Sequence, residues 1–401
     1  MIQKALRYLT FFPSITFGII SAEVFPWAFL YSFTKIKYLF ENIDRPTVYL
    51  FVLMVFQCIL SFFIFQVEIN EIAITFIAYF NVLIIFVLIS KTNPFEAKIF
   101  KTITIVFYFS AFFGILQYLK LTQPFQEIYT AIIPRGNFQI LDSINRGVSL
   151  FATEPSRAAI EFVFMAFVIR LIIQKRYLIY FDFFTFLFVF AVIKGGYGLL
   201  YSTIYLIFNF RKNYFKYIIL LVPLIAFFYW DFLSSIFLGR GTDLVKLIFF
   251  EKNVLFNLIN LSGFRIISTY GSIVFGLKNP IGGGFGNWKE SSVEAMSLTG
   301  FNSQNLNYFI YNSDGFWSSV KPTSFIGNLM LDFGLFGTIL FIYLLYQFFK
   351  KNLYVHDKGR FLILFGIYFC LFGYLGNPIP YICVALYYNK HVYNFYNNTH
   401  V

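Results

Sequence analysis

The chain alternates between long apolar stretches and short polar connections, a pattern typical of helices that cross a membrane. The apolar stretch over residues 6–40 is too long for one crossing and too short for two full ones, so it predicts two short helices joined by a tight turn near 21–24. Ten further helices are predicted at about 47–66, 71–90, 100–119, 157–174, 178–193, 197–210, 217–234, 323–349, 361–375 and 379–389. The pattern therefore predicts about twelve transmembrane helices.

Composition supports an all-α, polytopic integral membrane protein with a single membrane domain over 1–401. Hydrophobic residues make up 59% of the chain, charged residues only 12%, and the mean hydropathy is +0.70, which is outside the range of soluble globular proteins. The net charge of +12 does not indicate nucleic-acid binding, because the basic residues are spread loop by loop rather than gathered on one face with stacking aromatics. The expected partner is the lipid bilayer, and no nucleic acid is expected.

Lys and Arg are concentrated in alternate connections, which predicts the orientation of the chain. With a cytoplasmic N-terminus, eighteen Lys and Arg residues fall on the cytoplasmic side, whereas the short turns on the other side contain only Lys194. Both termini are therefore predicted to be cytoplasmic. The same assignment leaves two larger segments outside, 120–156 and 234–322, and the second contains apolar residues at helical spacing that predict amphipathic helices on the membrane surface.

The first outside segment brings two arginines and a carboxylate to the start of a membrane helix. Pro155 suits the first turn of that helix, and Thr153 or Glu154 could cap it. An ordinary helix start explains the proline, but it does not explain why Arg146, Glu154 and Arg157 lie together at the hydrocarbon boundary, where unpaired charge is costly. We therefore predict a functional role for these three residues.

The second outside segment contains the strongest candidates for anion binding. Arg265 lies on a predicted helix with hydroxyl residues one and two turns along, and its planar guanidinium suits phosphate oxygens. Gly282, Gly283 and Gly284 could let backbone N–H groups approach an anion, or could form a plain turn. Arg240 is a weaker candidate. Lys321, Thr323 and Ser324, at the return to the membrane, complete the residues predicted to bind substrate.

Three charged residues are predicted inside membrane helices. Asp332 is expected about 13 Å from the start of its helix, either in a functional role or paired with a neighbouring helix. Arg170 and Asp182 are expected to extend toward the cytoplasmic interface. The three histidines are assigned to the cytoplasmic side and no metal-ligand spacing occurs, so neither a metal nor a cofactor is predicted.

Four short motifs, in this order, resemble those of Wzy-type O-antigen polymerases, within the O-antigen ligase and polymerase superfamily. They are Arg146-Gly147 leading to Glu154-Pro155-Ser156, the turn Gly195-Gly196-Tyr197-Gly198, Arg265 followed by Asn279-Pro280-Ile281-Gly282-Gly283-Gly284, and Gly334-Leu335-Phe336-Gly337. The motifs span about 145–340, and the predicted helix count extends the resemblance to the whole chain.

The resemblance implies a glycosyltransferase of the bacterial inner membrane, active in surface polysaccharide biosynthesis. A growing oligosaccharide would move from undecaprenyl pyrophosphate to an incoming lipid-linked repeat unit on the periplasmic face. Arg265, Arg146 and Arg157 would stabilise the leaving diphosphate without a metal, and Arg240 is a further candidate for this role. Glu154 would accept the proton of the acceptor hydroxyl. A chain-length regulator is left open as a partner.

Two alternatives stay open. An O-antigen ligase, which moves the finished glycan onto lipid A core, would be expected to have a histidine where this chain has Thr323-Ser324. A lipid-linked oligosaccharide flippase would be expected to show two comparable halves with charged groups along a central path, whereas the polar residues here gather on one side.

Overall fold

The computed structural model describes residues 2–17, 25–133, 147–194, 254–351 and 375–400, with single positions at 202, 205, 365, 366, 368–370 and 373. Throughout these residues the regular structure is helical, with no β-strand. The α-helices are α1 (Ile2–Leu9), α2 (Pro26–Phe33), α3 (Ile36–Asn42), α4 (Arg45–Phe63), α5 (Ile69–Lys91), α6 (Ile99–Tyr118), α7 (Gln126–Ile132), α8 (Pro155–Arg170), α9 (Leu178–Leu187), α10 (Val254–Ser262), α11 (Arg265–Lys278), α12 (Trp288–Ser297), α13 (Asn307–Ser313), α14 (Phe325–Lys351), α15 (Pro378–Tyr387) and α16 (Lys390–His400).

Five helical segments in the described part of the chain are long and apolar enough to cross a membrane. They are Arg45–Phe63, Ile69–Lys91, Ile99–Tyr118, Lys175–Ile193 and Phe325–Phe348, and a sixth is present if α10 and α11, which meet at a bend of 108°, count as one broken span. The helical fold predicted from the apolar pattern is thus confirmed for the described residues, and these candidate spans support a membrane protein. The count of twelve is not confirmed, and the spans predicted at 197–210, 217–234 and 361–375 fall largely or wholly outside the described residues.

The two membrane helices predicted between residues 6 and 40 are not formed. Three helices of eight, eight and seven residues occupy this region, and α1 ends at Leu9. Pro13 follows shortly after, and a proline has no N–H with which to continue the helical hydrogen bonds. The backbone N–H groups of Thr16 and Phe17 instead donate to the Ile132 carbonyl, each at 3.1 Å.

By its contacts the chain divides into two compact units. The first unit is Met1–Ala22, Asn93–Glu251 and His391–Val401, and the second is Glu23–Thr92 and Lys252–Lys390. A single membrane domain over 1–401 stays a prediction.

Aromatic packing holds the helices of the first unit together. The ring of Phe162 on α8 stacks against Phe107 on α6 at 4.2 Å between centroids and against Phe188 at 4.7 Å. Phe188 begins a π-helical turn, Phe188–Ile193, that follows α9. A Cβ at Gly114 of α6 would lie 2.8 Å from the Phe188 ring, so the absence of a side chain there allows this close packing.

Arg170 and Asp182 of the first unit pair with each other rather than reaching separately toward the interface. Arg170 Nε donates to the two Asp182 carboxylate oxygens at 3.2 and 3.3 Å, and Tyr205 Oη also donates to this carboxylate. The sequence analysis did not predict this pair, because the partner lies on another helix. A buried charge is stabilised by an opposite charge and a hydrogen bond.

In the second unit, a buried asparagine caps the end of α5, one of the candidate membrane spans. Asn389 Nδ2 donates to the carbonyls of Thr92 at 2.7 Å, Ile89 at 2.9 Å and Ser90 at 3.3 Å. The last carbonyls of a helix have no partner within the helix, so this side chain satisfies the end of α5 from a residue about 300 positions away.

We predict that Asn389→Ala lowers the free energy of unfolding by about 1–3 kcal/mol, because buried carbonyls lose their donor. The measurement is thermal unfolding of the purified protein in detergent. Asn394→Ala, which removes an exposed amide from α16, is the matched control and should leave the midpoint unchanged. Equal midpoints for both variants would show that water replaces the Asn389 amide at no cost.

Candidate functional site

The N-terminus of α14 in the second unit is held by its own polar side chains. Ser324 precedes the helix, and its hydroxyl accepts a hydrogen bond from the Gly327 N–H at 3.0 Å, which is N-cap geometry. Asn328 Nδ2 donates to the carbonyls of Pro322 at 2.9 Å and Ser324 at 2.7 Å. The backbone that leads into α14 is therefore fixed over 322–328.

Helix α11 meets α14 at this point. The hydroxyls of Thr269 and Ser324 lie 3.0 Å apart in a hydrogen bond. A Cβ added to Gly327 would lie 3.5 Å from the Thr269 Cα, an ordinary van der Waals contact. Arg265 is the first residue of α11 and lies one turn before Thr269, so the start of α11 approaches the start of α14. Three of the predicted site residues, Arg265, Thr323 and Ser324, thus belong to one region.

The electrostatics of this region favour an anion. The first turns of α11 and α14 contain no acidic residue, and the N-cap of α11 makes no side-chain hydrogen bond. Each helix contributes roughly half a positive charge at its N-terminus, and Arg265 on α11 and Lys321 before α14 add two full charges. Positive side chains at the positive ends of two helices suit a bound anion, and the charge of Lys321 also acts on the Asp332 carboxyl.

A buried hydroxyl without a partner lies beside the same helix start. Thr323 is only 3% exposed, and its Oγ1 makes no hydrogen bond to any residue that the structure describes. Burying a hydroxyl without a partner costs free energy, so such groups are usually satisfied by a ligand or by water. Thr323 is therefore able to donate to a ligand held at the start of α14.

Two lysines flank the indole of Trp288, near the same end of α14. Lys321 Nζ lies 5.8 Å from the ring centroid, and Lys289 Nζ lies 5.9 Å from it. Lys289 also donates to Glu71 at 2.9 Å, and this hydrogen bond raises the pKa of Lys289. Lys289 thus has a carboxylate partner on α5, and the charge of Lys321 acts on the Asp332 carboxyl of α14.

The N–H groups of the glycine turn, residues 282–284, do not form the anion site that the sequence suggested. They are already bonded: Gly282 donates to the Asn279 carbonyl at 2.9 Å, Gly283 to Leu331 at 2.8 Å, and Gly284 to Asp332 at 3.2 Å. These donors are not free to form an anion cradle, and the plain-turn alternative describes them better. They contact α14 about 10 Å along the helix from Ser324, given a rise of 1.5 Å per residue.

The turn is needed there because α14 is broken at Gly334. Gly334 adopts φ 64° and ψ −167°, which interrupts the helical hydrogen bonds and leaves the carbonyls before it without their usual donors. The N–H groups of Gly283 and Gly284 take their place, and the Phe336 N–H beyond the break donates to the Pro280 carbonyl at 3.1 Å. The backbone groups of the glycine turn and those left unpaired by the break in α14 therefore satisfy each other's hydrogen bonds.

Asp332 bonds to a side chain on a neighbouring helix, which is the second of the two alternatives predicted for it. Tyr79 Oη on α5 donates to Asp332 Oδ2 at 2.9 Å, and Gln57 Nε2 on α4 donates to the Asp332 main-chain carbonyl. The Tyr79 ring stacks on Phe285 at 5.1 Å. This network encloses Asp332 among α4, α5 and the glycine turn.

The remaining described candidates, Glu154 and Arg157, lie in the first unit. Helix α8 begins at Pro155 as predicted, but the Glu154 side chain makes no capping hydrogen bond. Arg157 is buried in the first turn of α8, and Glu161, also buried, follows one turn later. The i, i+4 spacing suits an Arg–Glu pair. This spacing was the sequence signal that could have added Glu161 to the candidate residues.

Side chains from another part of the first unit hold the backbone that leads to Glu154. The Leu150 N–H donates to Gln117 Oε1 at 2.9 Å, and Tyr129 Oη donates to the Leu150 carbonyl. Burial raises the pKa of Tyr129 to about 12, so its hydroxyl stays protonated as a donor at physiological pH. Gly147 lies against the Ile193 carbonyl, where a Cβ would not fit.

Arg146 and Arg240 lie outside the described residues. In the part of the chain that is described, no group of three or more His, Cys, Asp or Glu side chains could hold a metal ion.

Comparison with known proteins identifies no family. No protein-family model matches the chain, and no curated protein and no solved structure matches it. Membership of the O-antigen polymerases stays a prediction from the sequence motifs.

We predict that Gly334→Ala prevents stable folding, because a Cβ there would overlap the Gly282 nitrogen and the Asn279 carbonyl oxygen, and a positive φ strains an alanine further. The measurement is the yield of monodisperse protein after detergent extraction. Gly366→Ala, with no atom within 4 Å of the added Cβ, is the control and should keep the wild-type yield. A wild-type yield for Gly334→Ala would mean that the break is not required.

Proposed function

We propose that this protein is a membrane glycosyltransferase of the O-antigen polymerase type, which extends a lipid-linked glycan outside the cytoplasm. The observation that carries the proposal is the start of α14, where two helix N-termini, Arg265, Lys321 and the unpartnered Thr323 hydroxyl combine to favour an anion. Undecaprenyl pyrophosphate supplies such an anion as leaving group. Four sequence motifs in the order of the family add support.

The proposed reaction transfers a sugar between two oxygens. The bond from the anomeric carbon of the donor glycan to the diphosphate oxygen breaks, and its electron pair stays on the diphosphate. A hydroxyl oxygen of the incoming repeat unit forms the new glycosidic bond, and its proton passes to a base. Arg265 and Lys321 would stabilise the negative charge that develops on the diphosphate, and the N–H dipoles of α14 would add to this effect.

Thr323 would act as a hydrogen-bond donor to a phosphate oxygen. This role would satisfy a hydroxyl that is otherwise buried without a partner, at the end of the helix whose dipole favours the same anion. Arg157 and Glu154 belong to the other compact unit, and their roles as cation and base stay predictions. So do the roles of Arg146 and Arg240.

A lipid-linked oligosaccharide flippase is the second candidate. The interruption of α14 at Gly334 favours it, since transporters commonly bind their substrates at interrupted membrane helices. The ligase alternative differs from the polymerase only in the acceptor, lipid A core, and Thr323-Ser324 in place of a histidine favours the polymerase.

We predict that Arg265→Ala reduces glycan elongation by about 10²-fold or more, because the diphosphate loses a cationic donor where charge develops. The assay gives lipid-linked repeat units to purified protein in detergent and measures chain length by gel electrophoresis. Arg176→Ala, which removes an exposed arginine from the first unit, is the control. A normal ladder of chain lengths with Arg265→Ala contradicts the assignment.

The same assay separates polymerase from flippase, because elongation in detergent needs no membrane. Wild-type protein that is folded and supplied with verified substrate, yet lengthens nothing, would favour the flippase.

We predict that Thr323→Val slows elongation without loss of stability. The substitution keeps the shape of the side chain and removes a buried hydroxyl that has no partner in the free protein, so the free energy of unfolding should stay equal or rise by about 1 kcal/mol. Thermal unfolding and the elongation assay are compared on one preparation. Ser324→Ala, which removes a cap, should instead lower stability. Unchanged elongation with Thr323→Val would exclude Thr323 from substrate binding.

A further inference from the structure

The segment 299–318, between α12 and α14, has a composition unlike the rest of the chain. It contains six aromatic residues and five Asn or Gln residues, and its only charged residue is Asp314. The connections predicted to be cytoplasmic instead contain most of the basic residues of the chain. A surface rich in aromatics and side-chain amides, and nearly free of charge, favours a neutral ligand that offers many hydroxyl groups.

Two aromatic side chains of this segment project from the protein. Tyr311 is 85% exposed and Phe316 is 71% exposed, and among the described large hydrophobic side chains that are exposed none exceeds Tyr311. Both lie outside the candidate membrane spans. Exposed apolar side chains that are grouped commonly mark a binding surface, and these two lie on either side of the turn at Asp314 and Gly315.

The backbone beneath these side chains is rigid. Asp314 and Gly315 both adopt positive φ, 49° and 81°, and turn the chain so that Phe316 follows directly. The Gly315 N–H donates to the Phe309 carbonyl at 3.0 Å, and Ser303 Oγ donates to the Gly315 carbonyl. Because the turn is already ordered, little conformational entropy would be lost when a ligand binds.

The core under the turn is also aromatic. The ring of Phe309 is fully buried and meets Trp317 edge-on at 4.7 Å between centroids. Gln304 lies against the turn, with its Cγ 3.2 Å from the position of a Cβ on Gly315. The exposed Gln304 thus lies beside the turn that leads into Phe316, and its amide can donate or accept hydrogen bonds.

We infer that Tyr311, Phe316 and Gln304 form an aromatic platform that binds neutral glycan. Sugar rings present C–H faces that stack on the electron-rich face of an aromatic ring, and their hydroxyls bond to amides. A surface that binds anionic lipid headgroups would contain Lys or Arg beside its aromatics, and 299–318 contains neither.

The platform is connected to the start of α11 through Tyr308. The Tyr308 ring lies 5.0 Å between centroids from the ring of Phe264, the residue before Arg265 at the start of α11. Burial raises the pKa of Tyr308, and the charge of Arg265 acts in the opposite direction. Tyr311 follows Tyr308 by three residues on α13 and shares its side of the helix. The inference rests on the proposed function to this extent: the glycan on the platform is the one whose diphosphate Arg265 holds.

The experiment measures binding of free glycan to the full chain in nanodiscs. The probe is the oligosaccharide that mild acid releases from the lipid-linked glycans of the source cells, which has no diphosphate. Tyr311→Ala combined with Phe316→Ala should weaken its binding by about tenfold or more. Tyr311→Phe, which keeps the ring, and Tyr346→Ala, which removes an exposed tyrosine of α14, should bind like wild type.

Equal affinity of the double variant and wild type, or no binding by wild type, overturns the platform. So does strong quenching of a Phe316→Trp variant by brominated lipids, which would place the side chain in the bilayer interface. Glycan that binds to a wild-type protein unable to elongate chains overturns the proposed function and leaves the platform standing. Arg265→Ala should lose elongation and keep the affinity for free glycan.

Discussion

The hydrogen bonds between the glycine turn and the break in α14 determine the geometry of the second unit. A helix interrupted within an apolar span leaves carbonyls that water cannot reach, and each would cost several kcal/mol if unsatisfied. Gly283 and Gly284 supply the donors, and the Pro280 carbonyl accepts from the N–H beyond the break. The turn must therefore stay on α14, and it brings with it the ends of α11 and α12 on either side.

This constraint places the start of α14 next to α11. Since α11 ends at the turn and packs along α14, its first residues come to lie beside Ser324, where the two hydroxyls of Thr269 and Ser324 meet. The position of Arg265 thus depends on bonds made about 10 Å away along α14. A cation at a helix N-terminus is unfavourable unless an anion is present, and this dependence on charge is the basis of the proposed anion site.

Three buried polar groups of the described structure bond to partners outside their own helix. Asp332 bonds to Tyr79, Asp182 to Arg170, and Asn389 to the end of α5. Each arrangement satisfies a group that would be costly to bury alone. The buried hydroxyl of Thr323 has no partner in the described structure, a property that it shares with Thr338 and Tyr381. What gives Thr323 weight in the proposed site is its place beside the start of α14 and near that of α11.

The apolar pattern by itself predicted helices long and apolar enough to cross a membrane, and it located α4, α5, α6 and α14 to within a few residues, because a long apolar helix is the form that satisfies its own backbone in lipid. The prediction from the apolar pattern failed for residues 6–40. The residues around Pro13 are hydrophobic, but the proline does not allow the helix to continue through them. Tertiary structure decided whether the glycine N–H groups are available to an anion or are bonded within a turn. It also decided which charges are paired. Gly283 was a candidate anion ligand until the Leu331 carbonyl was found opposite its N–H. A hydrogen bond between residues far apart in sequence leaves no local pattern, so no reading of one segment at a time could have revealed it.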